Sequence, residues 1–449
     1  MKTLKLVALS LTGVAVLSLS IRSWFSVASP QPSITAASEV SAPGRAEKRI
    51  LLAQRAIDRA PEKSDGYNQL AAAYMMKARE TADLSFNSKA EEAIARSLQV
   101  EPDNYDALKL RATLQLTNHR FQAALETAHQ ALSIQSDDHD VWGQITDAYV
   151  ELGDYDEAVR AAQKMMDLRP DSSSYARVSY LRSLHGDTYG AVQAMRAAVK
   201  AADPNDPEAM AWCRVHLASE LINAGKVSAA ENELDQALQI FPRHHLAMEA
   251  KARLLIVKGD VQGSISAYEQ LQLSSPSADA ALILGDLYAH LEKEDQATRN
   301  YALFESMERE NAAVENSWRH MVNYWLDHDR ELGQALALAK REYEERKDIF
   351  TCDTLAWAYF KKGELAKAKN SIEEALRTGT RDFRINYHAG MIYRALNLRD
   401  RAVRHLKIAC AINSSFDLLQ TKNARKMLAD LNQTREPPRL SASTRISLN

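Results

Sequence analysis

Glycine and proline are scarce in this 449-residue chain, at 15 and 12 residues, and aromatic residues make up only 7% of it. So few glycines and aromatics weigh against an all-β fold and against glycine-rich nucleotide-binding loops. Cys213, Cys352 and Cys410 are odd in number, far apart and without C-x-x-C spacing, so they indicate neither a disulfide framework nor a zinc site. No charge of one sign dominates. The 56 basic and 59 acidic residues give a formal net charge of -3, whereas a dedicated nucleic-acid binder carries a basic excess. A mean hydropathy of -0.37 excludes a polytopic membrane protein. Catalytic signatures are missing as well. The chain has no G-x-x-x-x-G-K-[ST], no G-x-G-x-x-G after a strand, no G-x-S-x-G and no H-E-x-x-H.

The one long uncharged run stands at the start. Lys2 and Lys5 precede Leu6 to Ile21, and Arg22 closes the run. Together with the small residues Ser26-Val27-Ala28, this fits a secretory signal cleaved after Ala28. An uncleaved anchor also fits, with Trp24 and Phe25 at the membrane interface. Either reading leaves the lysines in the cytoplasm and exports the remainder, to the periplasm or to the periplasmic face of the inner membrane. No cysteine precedes Cys213, so there is no site for a lipid anchor near the start. Residues 29–44 read as a flexible Pro/Ser/Ala linker, and 433–449 as a disordered tail.

From Arg45 to Asn432 the pattern is helical and periodic. Pro102, Ser136, Pro170 and Pro204 are each 34 residues apart, as are Pro242 and Pro276. Small residues keep step at Ala124, Ala158, Ala191, Ala230, Ala368 and Ala402, and tyrosines at Tyr74, Tyr149, Tyr288, Tyr324, Tyr359 and Tyr393. The clearest unit is 139–172. Trp142, Ile145 and Tyr149 share one helical face, and Gly153 supplies the positive φ of a helix terminus. Ala158 allows a second helix to approach closely, and Pro170 ends it.

This unit resembles the tetratricopeptide repeat, a helix–turn–helix of 34 residues. The family's signature positions are matched by Trp142, Tyr149, Gly153, Tyr155, Ala158 and Pro170. Glycine is replaced at His119, Glu292 and Asn397, and the eighth unit has a longer turn around Asp327–Gly333. The resemblance implies an all-α fold, a right-handed superhelical α-solenoid of about ten repeats over 45–432, with a capping helix at each end. The first helices would line the concave face, and contacts would run only between neighbouring units.

The resemblance also implies a non-enzymatic scaffold that holds a peptide or helix of a partner protein in its groove. An accessory subunit of an envelope enzyme or of an export or assembly complex is the alternative. No cofactor, metal, nucleic acid or small-molecule substrate is expected. With Tyr149-type residues at position 11 of the unit, the family's concave positions in the last three repeats include Trp318, Val322, Trp325, Phe350, Trp357, Phe360 and Tyr387. The six aromatic residues among these are the candidate anchors for a partner, although a stripe at helical spacing also suits core packing. Asp140, Asp147 and Glu151 make an acidic patch at the same positions of the third repeat. Lys109 is followed by Gly143 and Ala176, which does not support a carboxylate clamp. Two histidine-containing clusters, Asp137–Asp140 and His320 with Asp327–Asp329, read as solvated turns rather than metal sites.

Overall fold

The computed structural model describes residues 45–81, 84–242, 244–315, 317–411 and 418–433. The expected export segment, the linker and most of the tail lie outside the described residues. Every regular element among the described residues is a helix. The first, α1 (Arg45–Arg59), stands alone. Successive pairs follow: α2 and α3 (Ser64–Thr81, Ser85–Val100), α4 and α5 (Tyr105–Thr117, Phe121–Ile134), α6 and α7 (His139–Leu152, Tyr155–Leu168). The middle pairs are α8 and α9 (Ser172–Leu184, Thr188–Ala201), α10 and α11 (Pro207–Asn223, Val227–Ile240), α12 and α13 (His245–Val257, Val261–Ser274). Then come α14 and α15 (Ala278–His290, Glu294–Glu315), α16 and α17 (Arg319–Asp327, Leu332–Glu345), α18 and α19 (Ile349–Lys361, Leu365–Ala375), α20 and α21 (Phe383–Ala395, Arg399–Ala411). A last helix, α22 (Leu418–Gln433), packs on α21 and reaches back to α14.

Local chemistry explains the punctuation. The Asp138 carboxylate caps α6 by accepting the Asp140 N–H at 2.7 Å, and Asp154 caps α7 by accepting that of Glu157 at 3.3 Å. Helix α7 buries Tyr155, Ala158, Ala161, Ala162 and Met165, a single stripe at helical spacing. The periodic alanines are the points of closest helix approach: Ala158, Ala191, Ala230, Ala368 and Ala402 are fully buried and Ala124 is 1% exposed.

Each first helix from α4 onward ends on a left-handed residue: His119, Gly153, Gly186, Gly225, Gly259, Glu292, Asp329, Gly363 and Asn397, with φ between 53° and 84°. A side chain in that conformation costs about 1–2 kcal/mol, and glycine escapes the cost. Glu292→Gly is therefore expected to stabilise the protein by about 1 kcal/mol. The check is its urea midpoint against that of Gly259→Ala, which should fall.

One expectation fails. Contacts do not run only between neighbouring units, because the array curls back on itself. The turn closing α6 meets the turn leading into α18, and the turn closing α8 meets the one leading into α20. The Lys347 N–H donates to the Leu152 carbonyl at 3.3 Å, and the Ile349 N–H to the Tyr155 hydroxyl at 2.9 Å. Arg377 donates to the Gly153 carbonyl at 3.2 Å. One apolar core accordingly runs through Val150, Tyr155 and Val178 and through Ile349, Cys352 and Ile385. Coiling of a curved ribbon brings its two edges together, an outcome that nearest-neighbour reasoning does not contain.

Candidate functional site

The left-handed residues fix the register of each first helix. Tyr149, Tyr288, Tyr359 and Tyr393 each lie four residues before one. In α16 the left-handed residue is Asp329, which is four after Trp325 and five after Tyr324. Trp325 therefore takes the tyrosine's place, and the alignment on Tyr324 is one residue out of step. The positions corresponding to the concave face become Arg319, Asn323, Leu326 and Asp327, in place of Trp318, Val322 and Trp325.

Burial agrees at two positions, where half-buried Asn323 and Asp327 stand beside buried Val322 and Trp325, whereas Arg319 and Leu326 are themselves buried. Trp325 is 3% exposed and Val322 not at all, while Trp318 is the half-buried residue preceding α16. Among the other aromatic candidates, Trp357 and Tyr387 are 4% and 3% exposed, and Phe350 and Phe360 are half-buried. Trp325, Trp357 and Tyr387 belong to one apolar cluster with Met321, Leu355 and Leu406.

Trp357 is enclosed on every side. Its ring stacks on His388 at 4.0 Å between centroids and on Phe360 at 4.7 Å. The Lys361 ammonium lies 5.2 Å from its centre, and its Nε1–H donates to Asp327 at 3.0 Å. The other Asp327 oxygen pairs with Arg384 at 3.1 Å. The Thr354 hydroxyl donates to Asn323 at 2.9 Å. His388 Nδ1 lies 2.9 and 3.0 Å from the two Asp353 oxygens, and both residues are buried. His388 Nε2 has no partner among the described residues. These bonds tie α16, α18 and α20 together through polar side chains. Hydrophobic periodicity carries no signal for them; the only cue is the recurrence of Asp, Asn and His at positions where a core helix would place Leu or Ala.

The acidic patch of the third repeat is neutralised. Asp140 pairs with Lys109 at 2.8 Å, and buried Asp147 with Arg177 at 2.6 Å. Glu151 is buried against Arg346 at 2.8 Å. Burial pushes the Glu151 carboxyl up to about 7, because loss of water outweighs the pull of the Arg346 guanidinium, with a smaller push from Asp348. Arg346 is shared by Glu151, Glu342 and Asp348, and Arg319, 3.1 Å from Asp348, is the second guanidinium. For Asp348, burial alone would raise the carboxyl, but the two guanidiniums and the Thr351 hydroxyl hold it below the usual range.

Neither histidine cluster presents an open ligand set. Asp138, His139 and Asp140 are close enough to share an ion, yet Lys109 Nζ lies 2.7 Å from Asp138 and 2.8 Å from Asp140, where a cation would sit. The second cluster is dispersed. His320 faces Asp279 and Glu308, His328 faces Asp286, and Asp329 faces Lys361. Cys213 and Cys352 are buried, which pushes each thiol up to about 12.

Models of the tetratricopeptide repeat match residues 75–139, 115–179, 216–277, 250–299 and 351–378. Helical pairs of this kind define a class of protein-interaction scaffold. The chain is a tetratricopeptide-repeat protein. No curated protein matches it. Among solved structures it is similar to the human IFIT1 dimer with PPP-AAAA, at 13% identity over 74% of this chain and 78% of that one, with a TM-score of 0.46. It is also similar to pilF of Pseudomonas aeruginosa, at 17% identity over 55% and 90% of the two chains, with a TM-score of 0.30. A further similar structure is YrrB, described as a TPR protein with an unusual peptide-binding site, at 18% identity, 44% and 97% coverage and a TM-score of 0.28. These are likenesses of fold alone.

Proposed function

We propose that the protein is a non-catalytic scaffold of the cell envelope, which holds an extended or helical segment of a partner protein on the first helices of its last three repeats. The observation that supports this reading is the fixed polar set of Asn323, Asp327 and Arg384, braced by buried Thr354 and Trp357. Its members are immobilised by bonds between repeats, so a partner would meet donors and acceptors whose ordering cost is already met. Within the set Arg384 supplies a charge, and half-buried Phe360, stacked on Trp357, supplies an apolar edge. The basic, then apolar, start of the chain supports export, with the array on the periplasmic side.

The test is affinity capture from an envelope extract with wild type and Arg384→Glu/Phe360→Ala, both verified as folded by circular dichroism. A protein captured by wild type and lost at least tenfold with the double variant is the expected result. Equal recovery with both, or recovery of the chain itself in the cytosolic fraction only, would sink the reading.

A further inference from the structure

The edge-to-edge junction of the coil is the feature that the scaffold role leaves unused. Its composition is unusual for a seam inside a folded domain. Glu151 and Arg346, 195 residues apart, form an ion pair in which each side chain is at most 4% exposed. The Arg346 guanidinium also lies 5.2 Å from the centre of the Phe121 ring, and that of Arg377 5.0 Å from the Tyr155 ring. Backbone fits against backbone around two glycines. A Cβ on Gly153 would overlap the Lys347 carbonyl, and one on Gly186 would lie 2.6 Å from the Gly379 carbonyl oxygen.

Two properties make such a seam separable. Buried ion pairs roughly break even against their desolvation, so the polar part of the contact contributes specificity rather than a large binding energy. The Glu151 side is also incompletely satisfied, since its Oε1 has no partner among the described residues and three carboxylates share two guanidiniums. Helical arrays flex because each unit touches only its neighbours, and here, among the described residues, the junction joins units further apart in sequence than the α22–α14 contact does.

We propose that the junction of the α6 and α8 turns with the α18 and α20 turns is a reversible latch, closing the coil edge to edge and parting as a unit to open it. When it parts, the groove gains a lateral entrance. That last consequence rests on the groove reading above, whereas the latch does not.

Two glycines provide a matched test. Gly153 and Gly259 have nearly the same left-handed φ, 83° and 84°, but nothing lies within 4 Å of a Cβ on Gly259. Alanine at either position costs the same local strain, and only Gly153→Ala strikes the seam. Small-angle scattering should show a larger radius of gyration for Gly153→Ala and an unchanged one for Gly259→Ala. Should Gly153→Ala fail to fold, Arg377→Glu attacks the seam from an exposed side chain.

Closure itself is read by a cysteine pair. A backbone N–H···O bond between two segments of a chain brings Cα atoms within roughly the 4.4–6.8 Å that a disulfide spans. Leu152→Cys/Lys347→Cys with Cys352→Ala should therefore crosslink on mild oxidation, and adding Gly153→Ala or Arg377→Glu should lower the yield severalfold. Reversibility is read by hydrogen exchange in the wild type. The amides of Lys347 and Ile349 should exchange together and at least tenfold faster than amides in the middle of α18. Absence of the crosslink, an unchanged radius in both seam variants, or junction amides that open only with global unfolding would each overturn the proposal. Equal partner capture by wild type and Arg384→Glu/Phe360→Ala, with none of these outcomes, would count against the groove reading alone.

Discussion

Arg346→Ala is expected to destabilise the protein by about 3–5 kcal/mol, the range for removing one partner from a buried charged group. The guanidinium serves Glu151, Glu342 and Asp348, all at most about 10% exposed, and its loss leaves these carboxylates with Arg319 as the remaining buried guanidinium. Replacing charges on both sides should behave differently. Arg346→Met with Glu151→Met removes the uncompensated carboxylate along with the guanidinium, and buried ion pairs exchanged for apolar residues of similar volume are often neutral. The double variant should regain at least half of the loss. Urea unfolding of Arg346→Met, Glu151→Met and the double variant gives the coupling energy, which should exceed about 1 kcal/mol for groups in direct contact. Additive losses would mean that Glu151 and Arg346 do not act on each other.

Trp357→Ala should cost about 3–5 kcal/mol, as for other buried aromatic side chains cut to alanine. The ring is the middle member of a stack between His388 and Phe360, and its Nε1–H is one of the bonds that hold Asp327. A variant that combines Trp318→Ala with Trp357→Ala would therefore lose partner binding through unfolding, whatever the binding site is. Trp357→Phe separates the contributions. It keeps an aromatic ring between the two neighbours and drops the bond to Asp327 with part of the buried ring volume, so a loss of about 1–3 kcal/mol is expected, smaller than for alanine. Thermal melts of both variants decide this. A Trp357→Ala protein as stable as wild type would return Trp357 to the exposed face.

The fold was legible because its determinants are local. Helix caps such as Asp138 and Asp154, the buried alanines and the terminal glycines all act within one helical pair, and each repeats along the chain. Even His119, Glu292 and Asn397, where glycine is replaced, keep the left-handed backbone, since tertiary packing outweighs a cost of about 1–2 kcal/mol. The candidate site was harder for the same reason. Tyr324 and Trp325 are adjacent aromatics, and either satisfies the pattern; only the backbone at Asp329 decides between them. That one-residue slip turned Asn323 and Asp327 away from consideration and brought Val322 and Trp325 in. The acidic patch failed differently. Asp147 and Glu151 face Arg177 and Arg346, and the second of these partners is 195 residues away in sequence. No periodicity encodes a contact between two turns of a coil.

Tandem arrays ordinarily change length by duplicating or losing an internal unit, and the neighbours close over the change. In this chain such an event between α7 and α17 would carry the Lys347 turn past Gly153 and set some other side chain against it. The spacing of the two edges thus ties the number of intervening units to the geometry of closure. Gain or loss of units leaves the closure untouched only outside the paired segments, toward α1, because α22 is itself tied back to α14, so the interior is constrained to one length.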